Sequence, residues 1–198
     1  ENIKMNLRFI RLLIYSLIKL SLEKIKKIYF TTKYYNNSLK VTPPSRSYDM
    51  NNVPLLLELE DKNLKRIELI NRFQKNIWKL ENIGQKNLSE LHKFSWLSKL
   101  DIKNQRQLAK NIMIEWLRKN QNYNQKNWKH DVTATRLIFW ICCSHFTIRN
   151  DDMVFRSALT NNMIKQALHL NKNLKFINNN LEKILVLAAL VLVSVTFE

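Results

Sequence analysis

Aromatic side chains alternate with basic and polar side chains between residues 91 and 141. His92 and Trp96 are four residues apart, as are Arg136 and Trp140, and Trp128 follows a polar loop. Residues four apart share a face of an α-helix, so each pair would place a flat ring beside a polar group. Such a surface is typical of a wall that contacts sugars. Arg136 is the strongest candidate to bind an anionic ligand, because a guanidinium binds a carboxylate through two parallel hydrogen bonds.

The same residues also have a structural interpretation. Trp96 and its neighbour His92 can belong to the core, with the indole N–H hydrogen-bonded inside the protein. A buried Arg136 must be paired, since leaving such a charge alone costs about 3–5 kcal/mol. Its partner would be Asp131 or Glu115 in the structural interpretation, and a substrate carboxylate in the functional one.

The sequence contains no self-sufficient catalytic constellation, and we assign no catalytic residue. His130, His145 and His169 have no nucleophile or metal-ligand spacing around them. Cys142 and Cys143 are adjacent, so a disulfide between them would be strained, and we interpret both as buried, reduced packing residues. We therefore predict no metal site.

The composition favours helices and disfavours nucleotide cofactors. The chain has 198 residues, enough for one substantial core, and a single glycine, Gly84. Turn-rich β folds and phosphate-binding loops both depend on several glycines, so we expect neither, and we predict no cofactor.

The formal net charge of +17, from 33 basic and 16 acidic residues, allows three kinds of anionic partner. These are an acidic polysaccharide, an anionic membrane surface and nucleic acid. The charge can also reflect nothing more than a lysine-rich composition. Because the basic residues are scattered and concentrate only near the first helix, the sequence disfavours nucleic acid. It does not define an oligomeric state.

Residues 5–39 predict a basic amphipathic helix. Within its apolar run, residues 5–30, Arg11 and Lys19 interrupt the hydrophobic positions, so the run is too short to span a bilayer but suits an anionic membrane surface. Packing on the rest of the protein is the alternative. No small-x-small cleavage site follows, which favours a cytoplasmic location, or one peripheral to the inner membrane, over export. Residues 40–62, which contain the three prolines, predict a linker.

Helical periodicity is clear from residue 88 onward. Four consecutive helices with short loops predict two antiparallel helical hairpins, which makes the fold all-α. We expect Asp131 or Thr133 to cap one helix and Asp151–Asp152 to open the next. Residues 184–197 are apolar on every face and predict a buried core helix. The chain stops within that element, so we expect a truncated fragment.

Several short segments resemble the N-terminal region of heparinase II/III family proteins, in particular the alphaproteobacterial members. The resemblance covers roughly residues 70–198, and the motifs agree in order and spacing. They are Leu91-His92-Lys93-Phe94-Ser95-Trp96-Leu97, Glu115-Trp116-Leu117 with Asn120, and Trp128, Asp131-Val132-Thr133, Arg136-Leu137-Ile138 and Trp140-Ile141.

The resemblance implies that residues 63–198 form part of an incomplete (α/α) toroid, and that the family's lyases cleave acidic polysaccharides by β-elimination. The resemblance implies that the family's catalytic Asn-His motif comes later in the toroid than this chain reaches. Asn178–Asn180 is followed by Leu181 and not by His, so that role is not carried over to it. Its β-sandwich domain is absent too. We therefore expect a fragment that binds uronate-containing polysaccharide and is inactive alone, with Arg136, Trp128, His92 and Trp96 as the substrate-binding residues. The alternative is a basic helical module that binds an anionic membrane surface or nucleic acid.

Overall fold

The computed structural model describes residues 2–42, 70, 77–78, 85–149 and 152–197. These residues are helical and include no strand, so the predicted all-α class is confirmed for the described part of the chain. The α-helices are α1 (Asn2–Thr31), α2 (Lys33–Ser38), α3 (Gln85–His92), α4 (Ile102–Asn120), α5 (His130–Cys142), α6 (Met153–Asn173) and α7 (Asn180–Thr196). Short 3₁₀ segments lie at Ser95–Lys99, Ser144–Phe146 and Leu174–Phe176.

The chain divides into two compact units, Glu1–Ser38 and Leu39–Glu198. The first contains α1 and α2, and the second contains α3 to α7. Most of the predicted linker, residues 43–62, lies outside the described residues. None of the described helices is long and apolar enough to cross a bilayer.

Side-chain caps begin three of the helices. Asp101 accepts a hydrogen bond from the backbone N–H of Lys103 at the start of α4, Asp152 caps α6, and Asn179 caps α7. The prediction for Asp152 is thus confirmed, and Asp151 lies outside the described residues. The prediction for Asp131 and Thr133 was wrong: α5 begins at His130, and no side chain caps it. Both predicted caps lie inside the helix.

The apolar stripe predicted for α4 faces the core. Ala109, Ile112, Met113, Trp116 and Leu117 are buried, whereas Leu108 at its border is half-buried. Helix α5 is the centre of the second unit, because neighbours cover nearly all of it. It packs against α7 more extensively than against any other helix, and also contacts α3 and α6.

Long-range contacts define the helix directions in the second unit. Lys110 Nζ lies 2.8 Å from Asp152 Oδ2, and Lys165 Nζ donates to the Gln121 carbonyl at 2.8 Å. Residue numbers therefore increase together along α4 and α6, and these helices run parallel. The same holds for α5 and α7, which pack extensively and whose first turns meet where His130 Nδ1 lies 3.5 Å from Glu182 Oε1.

Sequence neighbours run antiparallel instead. The rings of Trp116 and Trp140 lie 5.3 Å apart, and Trp128 donates to the Asn120 carbonyl, so α5 returns along α4. The contact from Arg136 to Gln166 and that from Trp128 to His169 give the same relation for α5 and α6. The result is two layers, α4 with α6 and α5 with α7, joined by hairpins.

Helix α7 differs from the predicted core helix. Val186, Ala189 and Val193 are buried, but a second stripe is open to solvent. That stripe contains Leu181, Ile184, Leu187, Val191 and Val195. A helix that is apolar on every face can bury one stripe against α5 and still leave the opposite one uncovered, and composition alone does not separate these outcomes.

The adjacent cysteines are both free, as expected. Cys143 is buried, and burial raises the pKa of its thiol to about 12. Cys142 is only half-buried, so the expectation that both would be buried holds for one of them.

The cap of α7 gives a direct test of the hairpin. Asn179 Oδ1 accepts from the backbone N–H groups of Leu181 and Glu182, at 2.9 and 3.2 Å. We expect Asn179→Ala to lower the free energy of unfolding by about 1 kcal/mol, because these donors lose their acceptor. Urea denaturation measures this. Asn178→Ala is the matched control, since it removes the same side chain from the preceding, exposed position. Equal effects of the two substitutions would contradict the assigned cap.

Candidate functional site

Arg136 lies at the centre of the second unit with no solvent exposure. Its Nε donates to Gln166 Oε1 at 2.8 Å, and its Nη1 donates to the carbonyl oxygens of His92 and Asn127, both at 3.0 Å. Its Nη2 donates to Thr133 Oγ1 at 3.3 Å. The guanidinium thus joins α3, α5, α6 and the loop of residues 121–129.

Neutral groups stabilise the positive charge of Arg136. Among the described residues, neither expected carboxylate pairs with it: Asp131 lies 3.7 Å from Lys93, and Glu115 pairs with Arg118 at 3.1 Å. The guanidinium carbon instead lies 4.4 Å from the ring centre of Trp116. Carbonyl dipoles and aromatic faces both attract a cation. Burial lowers the pKa of Arg136 to about 9, so the side chain remains charged at neutral pH.

His92 ends α3 and is buried as a neutral imidazole. The indole N–H of Trp116 donates to its Nδ1 at 2.8 Å, so the imidazole proton resides on Nε2. Its ring stacks on Trp78, with 5.0 Å between the ring centres. Burial, and to a smaller extent the charge of Arg136, lowers the pKa of His92 to about 3.

His92 and Trp96 do not share a helical face, in contrast to the prediction. Phe94 between them adopts a left-handed backbone conformation with φ of 58°, which ends α3 and starts the 3₁₀ segment Ser95–Lys99. A bulky residue there costs of the order of 1–3 kcal/mol, so surrounding contacts must hold it. Its ring packs against Trp96, Trp116 and Trp140, with ring centres 5.2, 5.7 and 5.2 Å away. No sequence signal indicated this turn, because glycine usually fills such a position.

Trp128 fixes the loop between α4 and α5. Its indole N–H donates to the Asn120 carbonyl at 3.2 Å, and Asn127 Nδ2 donates to Asn120 Oδ1 at 2.6 Å. Arg136 also donates to the Asn127 carbonyl. Hydrogen bonds thus tie the end of the loop both to Asn120, where α4 ends, and to Arg136 in the core. The loop position predicted for Trp128 is correct, but the ring points into the protein.

The four predicted substrate-binding residues are therefore all buried. Arg136 and Trp96 are 0% exposed, Trp128 is 1% exposed and His92 is 4% exposed. A polysaccharide could reach them only if the core opened, so their contact with substrate stays a prediction. A pocket of about 460 Å³ lies elsewhere, between α6, α7 and residues Val41–Thr42, and includes none of the four.

A cluster beside the 121–129 loop, with three half-exposed members and a buried His169, was not anticipated from sequence. We call it the rim cluster: Tyr123, His130, His169 and Glu182. The ring of His169 lies 5.1 Å from Tyr123 and 6.1 Å from His130, which contacts Glu182. Burial raises the pKa of Tyr123, so its hydroxyl stays protonated at neutral pH.

The rim cluster combines an aromatic ring with hydrogen-bond donors and acceptors, the groups that bind sugar hydroxyls. Its members are separated by up to 59 positions in sequence and meet because α5, α6 and α7 begin or end at the same side of the unit. Sequence analysis assigned His130 and His169 no role because no spacing rule joins residues on different helices.

Comparison of the chain with models of protein families, with curated proteins and with solved structures finds no match in any of the three. Within the described ranges, no group of three or more His, Cys, Asp or Glu side chains is placed to hold a metal ion.

We expect Arg136→Met to lower the free energy of unfolding by at least about 3 kcal/mol. The substitution removes the donor from the buried acceptors of Gln166 and His92, at about 1–3 kcal/mol each, and from the half-buried carbonyl of Asn127. Urea denaturation followed by tryptophan fluorescence measures the change. Arg118→Met, at an exposed position, is the matched control and should cost less than about 1 kcal/mol. A similar cost for both variants would contradict the central role of Arg136.

His92 should make stability depend on pH. Its folded-state pKa of about 3 lies below the ordinary value of 6.5, so between these values the unfolded chain binds a proton that the folded chain does not. The contribution of His92 to the free energy of unfolding is complete above pH 6.5. It decreases as the pH falls toward 3, by up to about 1.4 kcal/mol per pH unit.

His92→Gln is the comparison, because an amide oxygen can still accept from Trp116 but does not titrate in this range. We expect denaturation curves from pH 7 downward to show a shallower loss of stability for the variant than for the wild type. Parallel losses would mean that His92 is not the group responsible.

Proposed function

We propose that residues 63–198 are part of an (α/α) toroid of the heparinase II/III type that binds acidic, uronate-containing polysaccharide. The observation that carries this proposal is the pairing of alternate helices. Parallel α4 and α6 lie in one layer, and parallel α5 and α7 lie in the other. Successive hairpins of an (α/α) toroid follow the same rule, with first helices in one ring and second helices in another.

The open stripe of α7 supports the same arrangement. Ile184, Leu187, Val191 and Val195 recur at helical spacing and are exposed. The next helix of this layer would meet α7 on this stripe, as α5 meets α7 on the opposite stripe. A further hairpin of a ring would bury this stripe, which is otherwise costly to leave in water.

The rim cluster is the best-placed surface for the polysaccharide. Tyr123 offers a ring face and a hydroxyl, and His130 and Glu182 offer hydrogen bonds to sugar hydroxyls. The exposed Lys126 and Lys129, on the same loop and at the start of α5, add positive charge for uronate carboxylates. In this proposal, Arg136 and Trp128 are positioning residues that hold the loop. No elimination step is assigned to this chain.

Binding of polygalacturonate tests the proposal, with dextran as the uncharged comparison. We expect affinity electrophoresis to show retardation by polygalacturonate alone. Tyr123→Ala should weaken binding roughly tenfold, as loss of a central aromatic contact does at other interfaces. Tyr34→Ala, which removes an exposed tyrosine from the first unit, is the matched control and should have no effect.

Charge is tested separately by Lys129→Gln against Lys103→Gln, since both lysines are exposed. We expect the first substitution alone to weaken binding, and circular dichroism checks that each variant folds. Equal binding of dextran and polygalacturonate, or equal effects of the two lysine substitutions, would refute a specific uronate site at the rim cluster.

A further inference from the structure

Helix α1 has a continuous apolar side whose side chains are exposed in the described part of the chain. Between residues 7 and 31, at about 100° per residue, a sector of about 160° contains apolar or tyrosine side chains, interrupted only by Arg11 and Ser21. We call this sector the apolar arc. Its members, all exposed, are Leu7, Ile10, Ile14, Tyr15, Leu17, Ile18, Leu22, Ile25, Ile28 and Tyr29.

Most charged residues of α1 lie outside this arc. Of the seven charged residues between positions 7 and 31, six lie outside the arc, and five of those six are basic. Arg8, Lys19 and Lys26 form a row along one border, and Lys24 marks the other border. Long basic side chains at both borders can extend away from an apolar phase while their aliphatic stems stay in it.

Two exposed tyrosines lie on the same side of α1. Tyr15 and Tyr29 belong to the half of the arc next to the basic row. Tyrosine favours the boundary between headgroups and acyl chains, because its ring is apolar and its hydroxyl is wet. Along this border of the arc, the order apolar, tyrosine, basic matches the order of layers at a membrane surface. Beyond the basic row, Phe9, Leu12, Leu13 and Leu20 are exposed as well.

We propose that α1 lies flat on an anionic membrane surface. The apolar arc enters the boundary between headgroups and acyl chains, and Arg8, Lys19 and Lys26 contact anionic headgroups. Charge complementarity favours lipid over the other occupants. Nucleic acid would contact the basic row but leave the arc in water, and a protein partner covering the arc would not need cations at both borders.

The test is co-sedimentation of the full chain with vesicles. We expect binding to vesicles of roughly one part phosphatidylglycerol to two parts phosphatidylcholine, and little binding to phosphatidylcholine alone. Added salt should weaken binding, since it screens the attraction. Circular dichroism with the vesicles present verifies that the total helix content of the chain is retained.

Removing the basic row tests the electrostatic contribution. Arg8→Gln, Lys19→Gln and Lys26→Gln should each weaken binding about fivefold, and about a hundredfold together. The matched control is the triple substitution of Lys103, Arg118 and Lys119 by Gln, which removes the same charges from exposed positions of α4. The control should bind as the wild type does.

Two further variants test the orientation. Ile18 lies near the middle of the arc, Leu20 lies roughly 160° away, and both are 54% exposed. We expect Ile18→Gln to weaken vesicle binding about tenfold and Leu20→Gln less than twofold.

Three outcomes would overturn the proposal. The first is equal binding to neutral and anionic vesicles. The second is equal loss in Ile18→Gln and Leu20→Gln. The third is absence of vesicle binding in a chain that binds duplex DNA through Arg8, Lys19 and Lys26.

Discussion

A charged guanidinium held in the core without a carboxylate is the constraint on which the second unit depends. Such a group is tolerated only if enough oriented acceptors replace its water. Arg136 obtains them from Gln166 of α6, from the carbonyl of His92 at the end of α3 and from the carbonyl of Asn127 in the loop before α5. Trp116 of α4 covers its face. Each neighbouring segment contributes one contact. If any of these segments moved, the guanidinium would lose a hydrogen-bond acceptor or its aromatic cover.

The features that sequence analysis predicted correctly are local ones. The stripe of α4 follows from the spacing of residues such as Ile112 and Trp116 within one helix, and the cap at Asp152 needs only the next three residues. The all-α class follows from the same short-range periodicity and the single glycine. The sequence left the partner of Arg136 open between Asp131 or Glu115 and a substrate carboxylate, and in the structure its partners are Gln166 and two backbone carbonyls instead.

The features that sequence analysis missed depend on distant partners. Arg136 finds Gln166 thirty positions away, whereas the nearby Asp131 and Glu115 bind other cations. Phe94 has a left-handed backbone, and its ring packs against Trp78, Trp116 and Trp140 on other segments of the chain as well as against the nearby Trp96. The rim cluster and the open stripe of α7 likewise exist only once the helices have packed. For the same reason, the sequence did not show that Arg136, Trp128, His92 and Trp96, whose chemistry suits sugar binding, lie in the core.

The pairing of α5 with α7 has a consequence for synthesis of the chain. Helix α5 is apolar on nearly every face, and its largest partner is formed about fifty residues later. While the ribosome adds α6 and the loops beside it, α5 has α4 and α3 to pack on but no cover on its other side. Contacts between such distant segments form slowly, since a long intervening segment must close first. The nascent chain thus carries an apolar helix with one side uncovered until α7 has been made, which is the kind of surface that favours aggregation during synthesis.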